Sequence, residues 1–537
     1  MTIVTNKRTR AIWIGGVLVI GVIGLAGILF VFSARPRPAG PCLAIDRLPA
    51  IRPDYRGVTL PPNVAPLNFV VEEEAVACFV RIHADHGKAI EVFPRDGKVT
   101  IPAHPWRRLL DANRGGAIRI DVFTKADTSE VTTGPTSSWQ QFKTIENTVA
   151  AEEIDDYLVY RRIRPSQVTW RTMGIYQRNL TGFREQVVLD NERFGDGCVN
   201  CHAFCNHRTD KMLLGIRSTT YGTPEILIEE DRARQIKTKF GYTSWHPSGQ
   251  LAAFSVNKVR QTFHAAGREI RDVFDFDSFI ACYHVKANEV ETAAPLSAKD
   301  RLETYPAWAP DGEYLYFCSA PLTWKSQETL PEHHDRIRYD LMRVRYDLAG
   351  NTWGEVETVL AAKETGRSAL LPRISPDGRW LVLTMCDYGC FPVFRESSDL
   401  YLVDLEAAKR TGRYECRRLE INSDASESWH SFSSNGRWLA FSSKRLSHVF
   451  TRTFFAYIGA DGRVHKPFVL PQKNPLHYDS FLWTFSVPEL VKEPVQVNRR
   501  TLAQAIRNPG AEPVRMPITM ATPKADSGHP DAEPLRE

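Results

Sequence analysis

Features that mark several common protein classes are scarce or missing in this chain of 537 residues. The formal net charge is only +5, which is small for the length and gives no basic footprint for nucleic acid. The sequence contains no nucleophile-elbow, P-loop or zinc-metalloprotease motif. Apolar residues make up 43% and charged residues 24%, the ordinary proportions of folded domains. Composition therefore indicates a large globular body and argues against nucleic-acid binding and the hydrolases defined by those motifs.

Long apolar runs are also rare, and the exception lies near the N-terminus. Residues 11–32 contain no charged or polar side chain, and as a helix they would extend about 33 Å, enough to cross a bilayer core. Lys7, Arg8 and Arg10 precede the run, which favours a cytoplasmic N-terminus. A cleaved signal peptide is the alternative, although its apolar region is usually only about 7–15 residues. We expect an uncleaved single-pass anchor in a bacterial inner membrane, with the bulk of the chain in the periplasm.

One short motif, Cys198-Val199-Asn200-Cys201-His202, carries the strongest chemical indication. It reads C-x-x-C-H, the spacing at which two thiols form thioethers to haem and the adjacent imidazole binds the iron. We therefore predict one covalently attached haem c, bound through Cys198 and Cys201, with His202 as the proximal ligand. Covalent attachment of haem takes place outside the cytoplasm, so the motif agrees with the predicted export segment.

The same stretch permits a zinc alternative. Cys205 and His207 follow closely, which gives the spacing C-x2-C-x3-C-x-H of a zinc knuckle. Elsewhere, Cys386 and Cys390 stand four residues apart, and the sequence allows either a disulfide or two thiols at that place.

The second axial position of a haem iron has several sequence candidates. They are Met212, His246, His264, His430 and His477. Met212 opens an apolar run and is better explained as core. His246 and His430 are expected to hold corresponding repeat positions and a structural role. His264 lies in a long loop near the haem segment, which makes it the favoured distal ligand, while an open sixth position would favour catalysis or ligand binding.

Four segments of the C-terminal half repeat one pattern of a strand, a tight turn ending in glycine and an apolar strand. The turn glycines are Gly249, Gly312, Gly378 and Gly436, spaced by 63, 66 and 58 residues. Such repeats predict a radial β architecture, because one hairpin cannot bury its own apolar face. Strands near 212–216 and 225–228 are expected to join 480–485 in one composite blade. The count is then five blades, or six if one repeat is degenerate.

These patterns predict a mainly β protein and divide it along the chain. The predicted units are a cytoplasmic tail and transmembrane anchor (1–35), a linker (36–56), a β-sandwich-like domain (57–139), a mixed haem-binding segment (140–211), a β-propeller (212–491) and a Pro-rich disordered tail (492–537).

The repeat turn, as in Trp308-Ala309-Pro310-Asp311-Gly312, resembles that of TolB-like, WD-type propellers. The span from Pro61 to about Leu490 resembles bacterial propeller proteins that carry a monohaem cytochrome c motif. The matching stretches are 61–69, 170–178, 198–204, 249–257, 261–264 and 387–389. The resemblance implies haem binding and an extracytoplasmic location, and it implies little about a partner or substrate.

Three functions remain open on the sequence. The first is electron transfer between the haem and a docked protein redox partner. The second is a propeller that serves as a binding scaffold, with a structural or sensory haem. The third is a haem enzyme with an open iron site, so the sequence leaves enzymatic activity undecided.

Overall fold

The computed structural model describes residues 37–38, 40–125, 139–164, 172–264, 269, 271–324, 332–508 and 513–516. The predicted anchor within residues 1–35 lies outside these ranges. Among the helices that are described, none is long and apolar enough to cross a membrane.

The N-terminal β domain comprises ten strands and one helix. They are β1 (Leu43–Ile45), β2 (Ile51–Arg52), β3 (Thr59–Leu60), β4 (Phe69–Val71), β5 (Ala77–Ala84), β6 (Ile90–Val92), β7 (Lys98–Val99), α1 (Ala103–Asp111), β8 (Ala117–Lys125), β9 (Trp139–Phe142) and β10 (Ile145–Val149). Strands β2, β4 and β7 form one sheet and the other seven form a second. Helix α1 packs Trp106 into their core, where its indole nitrogen donates to the Val64 carbonyl at 3.1 Å.

The stretch predicted as a linker, residues 36–56, belongs in part to this domain. Strand β1 pairs in parallel with β9, and β2 pairs with β4. The linker prediction is therefore wrong for these strands. Proline and arginine suggested an open connection, whereas backbone pairing with residues distant in sequence holds this segment on the domain.

Six four-stranded antiparallel sheets make up the described part of the chain after residue 156. Blade 1 is β11 (Tyr157–Ile163), β12 (Gly174–Asn179), β13 (Glu185–Asp190) and β34 (Thr484–Val491). Blade 2 is β14 (Cys198–Cys205), β15 (Arg208–Arg217), β16 (Glu225–Glu229) and β17 (Arg232–Ile236). Blade 3 is β18 (Gly241–Trp245), β19 (Leu251–Phe263), β20 (Arg271–His284) and β21 (Glu289–Glu291).

The remaining blades follow in chain order. Blade 4 is β22 (Arg301–Trp308), β23 (Tyr314–Pro321), β24 (Asp340–Asp347) and β25 (Thr352–Leu360). Blade 5 is β26 (Ser368–Ile374), β27 (Trp380–Cys386), β28 (Asp399–Asp404) and β29 (Cys416–Arg418). Blade 6 is β30 (Glu427–Phe432), β31 (Trp438–Ser443), β32 (Arg452–Tyr457) and β33 (Phe468–Val469). Further helices are α2 (Ala362–Thr365), α3 (Leu405–Thr411), α4 (His477–Ser480) and α5 (Arg499–Arg507).

The innermost strands of the six sheets contact one another in a ring. Strands β14, β18, β22, β26, β30 and β34 each touch the next, and β34 returns to β14. Each sheet is open, so side-chain packing between sheets makes the ring. Blade 1 closes it, because β34 comes from the C-terminal part of the chain and pairs with β11 from the N-terminal part, Tyr157 opposite Val491. The described chain thus forms a six-bladed β-propeller.

The predicted composite blade and haem-binding segment are placed differently by the structure. The strands near 212–228 belong to blade 2 with β14, and the C-terminal strand joins β11 to β13 instead. Residues 157–211 therefore contribute strands to blades 1 and 2 and are not a separate unit. The repeat pattern missed blade 2 because Asn206 and His207, at φ 52° and 60°, make its inner turn without glycine.

The four predicted repeats are confirmed as the inner hairpins of blades 3 to 6. Their turn glycines have φ between 68° and 76°, the left-handed region that glycine enters without a Cβ penalty. The second strands of these hairpins are buried on both faces, as in β27 and β31, since each blade is covered by its two neighbours.

The prediction of disorder from residue 492 onward is wrong for residues 492–508, which the structure describes. Helix α5 is capped by Asn498, whose side chain accepts from the backbone nitrogens of Arg500 and Thr501. Its Leu502 and Ile506 are buried in the core shared with blades 1 and 2. The prediction was wrong here because α5 is an amphipathic helix that packs its apolar side chains on the blades. Residues 517–537 lie outside the described chain.

Closure of the ring predicts that Leu490 on β34 is important for stability. Its side chain is 1% exposed, so Leu490→Ala should cost about 2–5 kcal/mol of unfolding free energy through lost burial and a cavity. Leu446→Ala, at a side chain 47% exposed, should stay within about 0.5 kcal/mol of wild type. Denaturant titrations would measure both, and equal shifts would contradict the role given to β34.

Candidate functional site in the central channel

Every innermost strand carries a one-residue bulge at the same level of the channel. In β18, Gly241 faces Ser255 whereas Ser244 faces Ala253, so one extra residue stands between these pairs. The same shift occurs in β14, β22, β26, β30 and between β34 and β11. The bulge residues with φ between 47° and 53° are Tyr242, Tyr305, Leu371, Trp429 and Val487. Cys201 holds the equivalent register position in β14.

Aromatic bulge residues from three different blades meet at the channel axis. The ring centroids of Tyr242 and Tyr305 are 4.2 Å apart, and those of Tyr242 and Trp429 are 6.0 Å apart. Tyr305 also donates from its hydroxyl to the Cys390 carbonyl at 2.7 Å. The register therefore places Cys201 at the level of an apolar, aromatic ring around the channel.

His202 follows the bulge of β14, and His430 follows the bulge of β30 at the equivalent position. Each side chain is only 3% exposed. His430 Nε2 donates to the Val382 carbonyl of blade 5 at 3.0 Å. The carbonyls of Val159 and Val487 in blade 1 face the His202 ring, but no described group forms a hydrogen bond of normal geometry with either of its nitrogens. Both imidazoles thus lie between neighbouring blades.

Both imidazoles are neutral at physiological pH. Burial lowers the pKa of His202 to about 3, and the positive charges of Arg161 and Arg373 add to the effect. Burial likewise lowers the pKa of His430 to about 3. A neutral imidazole keeps a nitrogen lone pair, which is the form that binds iron.

A charged pair crosses the channel below the aromatic ring. Arg373 of β26 lies 3.2 Å from Glu489 of β34, and burial raises the pKa of the Glu489 carboxyl. An adjoining cavity measures about 10 Å³, room for about one water. Its walls are Leu371, Arg373, Trp429, His430, Val487, Pro488 and Glu489.

The donor chemistry at the motif fits a haem. His202 offers a neutral ring that faces the carbonyls of Val159 and Val487 and makes no hydrogen bond of normal geometry with the described groups. Cys198, at the start of β14, is buried against Ile163 and Met173 of blade 1. The enclosed position of His202 is the opposing consideration. A porphyrin could reach this ring only if the interface between blades 1 and 2 admitted its edge.

The zinc alternative does not fit this geometry. Cys198 and Cys205 are the two ends of the eight-residue strand β14, and seven steps of an extended strand separate them by about 23 Å. His207 Nδ1 donates instead to the Leu490 carbonyl at 3.0 Å. In the part of the chain that the structure describes, no group of three or more His, Cys, Asp or Glu side chains could hold a metal ion.

The other ligand candidates are scattered over the molecule. Met212 is fully buried in the core of blades 1 and 2, as expected. His264 is exposed just beyond β19. His477 stacks on Phe481 with centroids 4.4 Å apart, and burial lowers its pKa to about 4. The described geometry therefore assigns none of these three to the iron.

The predicted equivalence of His246 and His430 is wrong. His246 stands at the level of Ser433, three residues beyond the bulge level of His430, and its Nε2 donates to the Gly312 carbonyl at 3.2 Å. His246 stands three residues before its turn glycine, Gly249, whereas His430 stands six residues before Gly436, so the two do not correspond.

Sequence reasoning missed the charged residues of the channel. Arg373 and Glu489 stand where β14, β18, β22 and β30 have Ala203, Ser244, Ala307 and Ser431. Only a repeat alignment that included the bulge would have shown two charges at a level otherwise held by small residues.

A long hairpin crosses the channel mouth at the Cys198 end. Strands β19 and β20 continue beyond Ser255, which pairs with the start of β18, as far as Phe263 and Arg271. Lys444 of blade 6 lies 2.5 Å from Glu269, and Arg395 of blade 5 pairs with Asp272. The long loop in which the sequence placed His264 is thus largely a β-ribbon that is tied to two other blades.

A larger cavity of about 560 Å³ lies at the opposite end of the inner strands, between blades 3 and 4. Its lining includes His246, Gly312, Tyr346 and Trp353. None of the C-x-x-C-H residues lines this cavity, so it is separate from the channel site.

Cys386 and Cys390 are both thiols in this structure. Cys390 donates to the Val273 carbonyl at 3.4 Å and Cys386 to the Tyr388 carbonyl at 3.3 Å. Burial raises the pKa of Cys386 to about 12, so this thiol is unreactive at neutral pH.

No family model and no curated protein matches the chain. Among solved structures, prolyl oligopeptidase B from Galerina marginata is 10% identical with a TM-score of 0.33, covering 56% of this chain and 41% of that one. The chain thus matches less than half of that protein. A luciferin-regenerating enzyme is 9% identical with a TM-score of 0.36, covering 59% and 91%. The β-propeller domain of the Trilobed protease from Pyrococcus furiosus is 13% identical with a TM-score of 0.31, covering 67% and 96%.

This chain contains a β-propeller, as its ring of six four-stranded sheets shows. Similarities of this size assign it no activity, substrate or partner.

Burial of the neutral His430 predicts that the propeller loses stability in mild acid. Its folded pKa of about 3 lies below the unfolded value of about 6.5, so the stabilisation is complete above pH 6.5 and is lost as the pH falls toward 3. Between pH 7 and pH 5 this residue should account for about 2 kcal/mol. His430→Asn should reduce that pH dependence in denaturant titrations. Thr243→Ala, at the equivalent level of blade 3, should leave the slope unchanged, and an unaltered slope in His430→Asn would refute the assignment.

Proposed function

We propose that this propeller is a membrane-anchored, extracytoplasmic c-type cytochrome that transfers electrons to or from a docked protein partner. The supporting observation is the C-x-x-C-H motif on an innermost strand, where His202 is neutral and buried and faces the Val159 and Val487 carbonyls without a hydrogen bond of normal geometry in the described structure. Thiols and a neutral imidazole at this spacing are the groups that attach haem and ligate its iron.

In this proposal Cys198 and Cys201 bind the haem covalently and His202 ligates the iron. The haem supplies one-electron redox chemistry when bound. The chain's own residues set the surroundings. Burial and the charge of Arg161 keep His202 unprotonated, and aromatic side chains such as Tyr305 line the channel at the level of Cys201.

The location also belongs to the proposal. An apolar run of 22 residues preceded by basic residues supports an inner-membrane anchor with the propeller in the periplasm. An electron carrier on the outer face of that membrane would meet its redox partner there.

One observation favours a second candidate. His202 and His430 hold equivalent positions between blades, and His430 is bonded to a neighbouring blade. If His202 has the same structural role, the propeller is a binding scaffold, and any haem is structural or sensory. A haem enzyme with an open iron site has no comparable support.

The cytochrome proposal predicts that haem stays with the denatured polypeptide. Wild type made in a host that matures c-type cytochromes should keep haem-peroxidase staining on a denaturing gel, and Cys201→Ala should weaken or abolish it. Cys205→Ala, at the far end of β14, should stain like wild type. Absence of staining from the wild type would refute covalent attachment.

The two equivalent histidines give a matched test of the iron ligand. His202→Ala should shift the Soret band, because the proximal nitrogen is lost, whereas His430→Ala should destabilise the fold and leave the spectrum unchanged. Absorption spectra of the oxidised and reduced proteins would show the difference. Identical spectra for wild type and His202→Ala would support the scaffold candidate instead.

A further inference from the structure

The cavity between blades 3 and 4 has the dimensions of a ligand site. Its volume of about 560 Å³ lies within the range of small-molecule pockets, roughly 300–1,000 Å³. The turn between β22 and β23 borders it on one side and the hairpin of β24 and β25 on the other, with His246 contributed by blade 3. None of the motif residues lines this cavity, so its chemistry is independent of any haem.

Aromatic rings form one wall of the cavity. The ring centroids of Tyr346 and Trp353 are 4.4 Å apart, and the His246 ring lies edge-on to Tyr346 at 6.1 Å. Behind this wall, Trp308 packs 5.3 Å from Tyr346 and 5.9 Å from Trp353. Tyr346 is only 4% exposed, and its hydroxyl donates to Asn351 Oδ1 at 2.8 Å. Packing and hydrogen bonding therefore hold the wall in one geometry.

The charged groups of the lining are mostly acidic. Asp311, Glu313 and Asp347 face a single cation, Arg345, which leaves a formal charge of −2. Arg345 forms its described ion pair with Glu313, and its Nη2 lies 3.9 Å from Oε2. Within the described chain, Asp311 and Asp347 have no ion-pair partner. The field of the cavity therefore favours a cationic ligand.

The two unpaired carboxylates already accept hydrogen bonds from the backbone. Asp347 accepts from the nitrogens of Ala349 and Gly350 at 3.3 and 3.0 Å. Asp311 accepts from the nitrogen of Glu313 at 2.9 Å. These contacts fix both carboxylates in their turns, so they act on a ligand mainly through their charge. A cation that is recognised through charge and ring contact, with no hydrogen to donate from its nitrogen, is a quaternary ammonium group.

We propose that this cavity binds a small quaternary ammonium compound. Its methyl groups contact the ring of Trp353, and the carboxylates of Asp311 and Asp347 balance its charge. The proposal is compatible with either candidate function, because the site uses none of the C-x-x-C-H residues. It gives the propeller a solute-binding site at the end of the inner strands opposite the channel mouth.

The test titrates the full chain in a maltoside detergent with choline and measures the affinity by isothermal titration calorimetry. The neutral carbon isostere of choline, 3,3-dimethylbutan-1-ol, has the same shape without the charge and should bind at least about tenfold more weakly. Added salt should weaken choline binding, because it screens the carboxylates. Equal affinities for the two compounds, or no saturable binding of choline up to about 10 mM, would overturn the proposal.

Three variants locate the binding. Trp353→Leu removes the ring and should weaken choline binding by about tenfold. Asp347→Asn keeps an oxygen for the backbone amides and loses the charge, so it should weaken binding by about threefold or more. Gly354→Val adds a side chain beside Arg345, where a new Cβ would make an ordinary contact at 3.4 Å. It fills part of the cavity without changing its charge and should weaken binding, which keeps the test valid if Trp353→Leu does not fold.

Asp461→Asn is the matched control. Asp461 lies in the corresponding turn of blade 6, between β32 and β33, where its Oδ1 accepts from the nitrogen of Arg463 at 3.0 Å. This variant should bind choline like wild type. An equal loss of affinity in Asp461→Asn would contradict the assigned site. Unchanged affinity in Trp353→Leu and Gly354→Val, with the fold checked by circular dichroism, would contradict it as well.

Discussion

Pairing of β34 with β11 is the interaction on which the rest of the structure depends. It joins residues 484–491 to residues 157–163 and makes a C-terminal strand the innermost strand of the first blade. Without it the ring of inner strands would be open between blades 6 and 2, and no enclosed channel would exist. The same pairing brings Glu489 to Arg373 and the carbonyl of Val487 to the ring of His202. The same strand pairing therefore both closes the ring of blades and positions these residues of the channel.

The bulges on the inner strands place a different pair of side chains at the channel in each blade. In each blade, the bulge places one residue at a common level of the channel and the following residue between two blades. These two positions therefore occur six times, each time with a different pair of residues. Three blades use the first position for aromatic rings at the axis. Blades 2 and 6 use the second position for a buried histidine. Cys201 and His202 occupy both positions of blade 2, which explains how the C-x-x-C-H motif fits into a repeat without interrupting the sheet.

The hairpin of blade 3 connects the channel to the rest of the ring. Its ionic contacts to Arg395 and Lys444 tie blade 3 to blades 5 and 6 across the mouth. Trp324 of blade 4 adds a hydrogen bond to the Phe276 carbonyl at 3.3 Å. The ribbon on this side is thus attached mainly by charged pairs, which salt screens only weakly because their side chains are largely buried.

The sequence by itself determined the mainly β class, the four inner hairpins with their glycine turns, and the C-x-x-C-H spacing, whose haem chemistry stays a prediction. These are local properties, because a left-handed turn and a two-residue thiol spacing are visible in a few neighbouring letters. Only the tertiary structure decided that Cys198 to His202 form an innermost strand, that His202 is equivalent to His430, and that Arg161 and Arg373 surround the motif. Those relations depend on strand register and on pairing between residues more than 300 positions apart, which short-range patterns do not encode.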